Sequence, residues 1–198
     1  FTWRQQFENN EEEFLKSNYY KTIQELLKNE KLLNFLENND LEICVCLHDN
    51  MMKYKNRFKT TTPRIKIVDK TEKSIQELLR ECKYLITDYS SIAFDFAYMQ
   101  KPLQYFQFDY EEFREKHLKE GYWNYEDGFG KVTHNVEECV EELINSSQND
   151  FKMEQKYLDK TKDFYIFRDD KNCERTYDEI CKVKSKESNI DSWWIINF

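Results

Sequence analysis

Apolar positions along this chain switch repeatedly between two periods, and the switch predicts where strands give way to helices. From Tyr19 to Glu37, Ile23, Leu26 and Leu27 fall on one face of an amphipathic helix, and "LEICVCLH" from Leu41 to His48 then reads as a strand. "RIKIV" from Arg64 to Val68 is a second strand. "SIQELLREC" from Ser74 to Cys82 is a helix, with Ile75, Leu78, Leu79 and Cys82 at i, i+3, i+4 and i+7. "YLIT" ending at Thr87 is a third strand. Ile92, Ala93, Phe96 and Ala97 recur at helical spacing until Pro102 stops the helix, and "PLQYFQF" is a fourth strand. A short fifth strand is expected at Lys131 to Thr133. A helix follows it, opening at Asn135 with Glu138 placed to complete a capping box. Two further helical segments lie within 151–167 and 172–182. Strands alternating with helices predict an α/β fold, a Rossmann-like parallel sheet with helices on both faces.

One turn in this pattern carries more polar chemistry than a turn requires. Between the third strand and its helix stand Thr87, Asp88, Tyr89, Ser90 and Ser91: four hydroxyls and a carboxylate. A single Asp or Ser suffices to cap a helix. The excess lies at the carboxyl end of a strand, where open parallel sheets bind ligands and where the first free amides of a helix favour an anion. Gln107, Asp109 and Glu112 end the fourth strand on the same side of the sheet, so their loop flanks that turn and suits ribose or base hydroxyls. "DGFG" holds Gly128 and Gly130, a turn or a place where backbone comes close to something.

Composition narrows the class. The net charge of -8 argues against broad nucleic-acid binding, although the many lysines leave room for a local basic patch. No apolar run approaches the roughly 18 residues of a membrane span, and no leader pattern is visible at the start. Cys44, Cys46, Cys82, Cys139, Cys173 and Cys181 lie mostly in strand or helix patterns without metal-ligand spacing, which reads as reduced, structural thiols. No pair of carboxylates is spaced as a metal-binding D-x-D, so neither a metal nor a cofactor is expected. His117 and His134 read as surface residues. "SKESNIDSWWIINF" breaks the helical pattern and leaves 183–198 as a tail of unassigned role.

"FTWR" at Phe1 to Arg4 and "LITDYSSIAFDFAYMQKPLQYFQFDYEEF" from Leu85 to Phe113 resemble signature segments of the CDP-glycerol glycerophosphotransferases, which build teichoic acids and related capsule polymers. The resemblance continues through "DGFG" to "RDDKNCERTYDEI" and covers roughly 1–182. It implies the carboxyl-terminal, nucleotide-binding half of a GT-B fold, with a donor-binding domain over 1–182 whose first strand is truncated. The reaction implied is transfer of glycerol phosphate from CDP-glycerol to a polyol-phosphate or polysaccharide acceptor, with release of CMP. The rest of such an enzyme places it at the cytoplasmic face of the membrane.

On that resemblance Asp88, Ser90, Ser91 and the helix behind them hold the donor's pyrophosphate, with Asp88 fixing the turn or meeting a hydroxyl because a carboxylate repels phosphate. Arg4, at the end of the first strand, reaches the phosphates in bidentate fashion. His48 stands where the family commonly has a His-Pro pair, here followed by Asp49 and Asn50, and donates to a phosphate oxygen. Thr87, Asp95, Gln107 and Asp109 complete the donor-binding set, Asp95 more as a loop-holding carboxylate than as a catalyst. The family's general base belongs to a "HGTP"-like segment that this sequence lacks, so the chain alone is expected to bind donor without catalysis. CDP-ribitol or a nucleotide sugar as donor, and a non-catalytic remnant that binds a nucleotide or partner, are the alternatives.

Overall fold

A computed structural model describes residues 1–2, 4–68, 73–116 and 123–186. Among the described residues five strands form: β1 (Ile43–Cys46), β2 (Ile65–Val68), β3 (Leu85–Thr87), β4 (Leu103–Phe106) and β5 (Gly130–Thr133). All pairings are parallel, and each successive pair is joined by a helical crossover, as parallel neighbours require. The fold class is therefore the expected one, parallel strands flanked by helices.

The strands divide into two hydrogen-bonded groups, β1-β2 and β3-β4-β5, where a single sheet was expected. The first residues of the chain lie at the carboxyl ends of both groups. There Phe1 reaches the Cys46 carbonyl beyond β1 (3.5 Å) while the Thr2 amide reaches the Asp88 carboxylate beyond β3 (2.8 Å), so these first residues bridge the two groups. Both groups feed one core, in which Val45 and Ile65 join Phe106, Leu32, Leu36, Val140 and others.

The helices are α1 (Glu11–Lys16), α2 (Asn18–Leu26), α3 (Glu30–Asn38), α4 (Ile75–Glu81), α5 (Ile92–Tyr98), α6 (Tyr110–Lys116), α7 (Val136–Gln148), α8 (Gln155–Phe164) and α9 (Asn172–Lys186). The single helix expected over Tyr19–Glu37 is two. Asn29 breaks it: its side chain accepts from the Leu32 amide (3.0 Å) and starts α3 afresh, although the apolar spacing runs on across the break. Ser74 and Glu77 form a full capping box at the start of α4. At α7 the Asn135 side chain caps as expected, but Glu138 reaches back to the His134 amide (2.9 Å) instead of that of Asn135.

Two polar side chains tie these layers together. Lys101 donates to the carbonyls of Leu79, Arg80 and Cys82 (2.9, 2.6 and 2.9 Å), satisfying the last turn of α4. Gln104 in the middle of β4 donates to the Cys139 carbonyl (3.0 Å) and accepts from Thr133 (3.1 Å), which joins β4 to α7 and β5 with every atom paired.

Residues Phe1–Lys162 form one compact unit and Asp163–Phe198 another. In the second, α9 leaves Tyr177, Ile180 and Val183 exposed, and Arg175 pairs with Asp169 (2.7 Å). Among the described residues no helix is long and apolar enough to cross a membrane. His117, Trp3 and the Trp-rich end of the tail lie outside the described residues.

Candidate functional site

The carboxyl ends of β3 and β4 converge on one buried ion cluster. Asp88 follows β3 and is wholly buried. It accepts from the amide (2.9 and 2.8 Å) and hydroxyl (2.8 Å) of Thr2, and from Arg4 Nη2 (3.3 Å). Asp109 follows β4. It takes a fork from Arg4, through Nε (3.1 Å) and Nη2 (3.2 and 2.9 Å), and a bond from the Tyr89 hydroxyl (3.1 Å). The guanidinium lies among three rings, with Cζ 4.6 Å from the centroid of Phe113, 5.1 Å from Tyr19 and 5.2 Å from Tyr89. Tyr89 and Phe113 stack at 3.8 Å.

One cation thus serves two carboxylates away from water. For Arg4, burial works against the charge, but Asp88 and Asp109 outweigh it and raise its pKa further. Burial also pushes Asp88 upward. Arg4 and the Thr2 bonds work against that push, and its carboxyl lies below the usual range. Asp109 is raised by burial and by Asp88 beside it, despite Arg4.

Tyr19 and Tyr89 are both raised, Tyr19 by burial and then Asp88, Tyr89 by burial and then Asp109. A raised tyrosine stabilises the fold fully below its unfolded value of about 10, and that stability is lost as pH climbs above it towards the folded value. The melting temperature is therefore expected to fall steadily above about pH 10, with tyrosinate absorbance from these two rings appearing only as the chain unfolds. Ionisation of both within an intact fold, seen by circular dichroism on the same samples, would contradict this.

Around the cluster, the other candidates are placed differently. Thr87 is buried at the end of β3. Ser91 is exposed at the start of α5 and makes no cap hydrogen bond, while Ser90 is half-buried, its hydroxyl 3.5 Å from the Ile92 amide. The capping that a serine commonly supplies is thus nearly absent at α5. Asp95 is exposed on α5. His48 is exposed beyond β1, and its Nδ1 accepts from the Asn50 amide (3.3 Å), capping the 3-10 helix Asp49–Arg57. His134 is exposed, with Nδ1 3.4 Å from the Gln107 carbonyl.

Gln107 stands apart from the rest. It is 3% exposed at the end of β4, and its side-chain Nε2 is buried with no hydrogen-bond partner among the described residues. Of the glycines, Gly130 faces Leu103 so closely that a Cβ would sit 2.0 Å from its carbonyl oxygen, and Gly128 would meet Tyr105 and the Tyr125 carbonyl at 2.7 Å. No described glycine has positive φ, so close approach is what these two positions require. Among the described residues no three His, Cys, Asp or Glu side chains gather as a metal site.

Sequence reasoning missed the aromatic walls around Arg4, namely Tyr19 and Phe113, and the Gln104 network. Gln104 was the more visible of these, an amide amid Leu103, Tyr105 and Phe106 in the fourth strand.

A family model for CDP-Glycerol:Poly(glycerophosphate) glycerophosphotransferase matches residues 2–182. The chain belongs to that family. It is 30% identical over 175 residues to the minor teichoic acid biosynthesis protein GgaB of Bacillus subtilis (strain 168), covering 88% of this chain and 19% of that protein. It is 38% identical over 80 residues to the teichoic acid poly(glycerol phosphate) polymerase of the same organism, 40% of this chain and 11% of the other. In fold, this glycerophosphotransferase-family chain resembles the wall teichoic acid polymerase TagF, with a TM-score of 0.54 at 23% identity over 83% of this chain and 39% of that one. A TagF variant soaked with CDPG gives a TM-score of 0.55 at 23% identity, over 96% and 42%. The chain thus spans less than a fifth of its curated relatives and about two fifths of the solved chains.

Proposed function

We propose that this chain binds CDP-glycerol at the carboxyl ends of β3 and β4, as the donor-binding part, over residues 1–182, of a larger glycerophosphotransferase. The observation that carries the reading is Gln107: a buried side-chain amide with an unmet donor, just past β4, the strand paired with the one that leads into the Asp88–Ser91 turn, in a chain of this family. Leaving such a donor unpaired costs about 1–3 kcal/mol, and a ligand oxygen in that place removes the cost. Ser90 and Ser91, freed from capping, supply hydroxyls to the pyrophosphate, and His48 stands at the neighbouring strand end.

Arg4, Asp88 and Asp109 act one step back. Their charges are turned on each other, so they fix Thr2, the signature turn and the β4 loop relative to one another, and the ligand meets a preset surface. In the transfer, an acceptor hydroxyl attacks the phosphorus that carries glycerol. The new P–O bond forms as the bond to the CMP oxygen breaks, CMP leaves, and the hydroxyl proton goes to a base outside this sequence. The rest of the larger protein brings this to the cytoplasmic face of the membrane.

Gln107→Met tests the reading. Calorimetric titration should show CDP-glycerol affinity falling roughly tenfold or more, as for a lost bond of about 1.5–3 kcal/mol to a charged partner, while the melting temperature holds or rises because an unmet donor is gone. Affinity unchanged in the variant, or equal wild-type affinity for CDP-ribitol or a UDP-sugar, would count against the assignment.

A further inference from the structure

The segment after β1 is charged unlike the rest of the chain. From Asn50 to Val68 it carries Lys53, Lys55, Arg57, Lys59, Arg64 and Lys66 and no acidic residue, in a protein of net charge -8. Three of these are already engaged: Arg57 by Glu11 (2.6 Å), Arg64 by Glu37 and Asp40 (2.7 and 2.9 Å), and Lys66 by Glu42 (2.7 Å). Lys53 and Lys59 are exposed and form no ion pair among the described residues. The Lys53 ammonium lies 5.2 Å from the Tyr54 ring, and Lys59 folds back to the Asn56 carbonyl (2.9 Å).

The element that presents them is unusual and firmly held. Asp49–Arg57 is a 3-10 helix of nine residues, whereas such helices seldom exceed three or four. At three residues per turn its inner row, Met51 and Tyr54, is buried, and Phe58 follows them into the core. Tyr54 donates to the Phe7 carbonyl (2.7 Å) and Tyr20 to that of Arg57 (2.9 Å). Gln24 exchanges two bonds with the Lys59 main chain, each 2.7 Å. On the outer side Lys53 and Asn56 are eclipsed about 6 Å apart, and Lys59 is drawn to the same place. That sets two ammonium-bearing residues, six positions apart, on one outer side of a held backbone, with the neutral Asn56 between them. That backbone starts at His48, beyond the carboxyl end of β1, on the side where the signature turn follows β3.

We propose that Lys53 and Lys59 form a docking row for an anionic polyol-phosphate chain, and so guide the acceptor towards the bound donor; this rests on the donor reading above. Ammonium groups act on phosphodiesters as point charges, without a requirement for base or sugar identity, which suits a featureless repeating polymer. Their fixed backbone limits what ordering costs on binding.

The test uses a fluorescent glycerol-phosphate oligomer and the full chain. Wild type should bind it with an affinity that falls as salt rises. Lys53→Gln with Lys59→Gln should weaken binding about tenfold at low salt, with the melting temperature and CDP-glycerol affinity unchanged. No wild-type binding, equal binding by the double variant, or equally tight binding of a single-stranded oligonucleotide of matched charge would each overturn the proposal. A failure of CDP-glycerol to bind, with oligomer binding lost in the double variant, would instead sink the donor reading and leave the row in place.

Discussion

Replacing Arg4 by methionine is expected to remove about 3–5 kcal/mol of stability, the range found when one partner of a buried ion pair is deleted. Asp88 is wholly buried and Asp109 nearly so, and both lose the guanidinium that makes their charges tolerable there. Neither can turn to solvent, since Thr2 and Tyr89 already hold them. For a unit of this size the melting temperature should drop by roughly 10 °C. Adding Asp88→Asn and Asp109→Asn to Arg4→Met should restore a good part of the loss, because the methionine then faces neutral amides. If Arg4→Met melts within a degree of wild type while losing CDP-glycerol, the guanidinium spends its charge on the ligand's phosphates and the buried cluster is not what anchors the turn.

Gly130→Ala should be nearly as damaging, by about 3 kcal/mol, at the upper end of ordinary overpacking. The nearest atoms to the new methyl are the carbonyl oxygen and carbon of Leu103, at 2.0 and 2.7 Å, and Leu103 is the ladder partner of Gly130. A side chain could swing aside; a backbone carbonyl in a ladder cannot, so β5 must lift from β4. Lifting it also disturbs Thr133 and hence Gln104. Urea unfolding should show a lower midpoint at unchanged slope. An unshifted midpoint would mean that the two strands have slack there.

How much of this was readable beforehand depends on the range of the forces involved. The strands at Ile65–Val68 and Leu85–Thr87 and helix α4 follow from local periodicity, and they fell where the spacing put them. Helix α6 was not legible: "YEEFREK" buries Phe113 and little else, so no apolar stripe announces it. The split between α2 and α3 was hidden because Leu26 and Leu33, seven apart, stay in helical phase across the cap. The turn at Asp88 to Ser91 was legible as a polar strand-to-helix turn, because it holds more hydroxyls than a cap consumes. Its supporting cluster was not, since Arg4 meets Asp88 and Asp109 across 84 and 105 residues and no spacing rule reaches so far. Gln107 was placed at the right strand end, but its unmet donor is a property of the packed surroundings alone.

Those long separations also bear on how the molecule is assembled in time. Thr2 and Arg4 leave a ribosome working through this stretch early, yet their partners emerge some hundred residues later. The loop they close is long and costly in entropy, and it is closed only once β3 and β4 exist to receive it. The cluster is then a clasp fastened at the end of folding, and loosening it would chiefly hasten unfolding while leaving the rate of folding almost untouched.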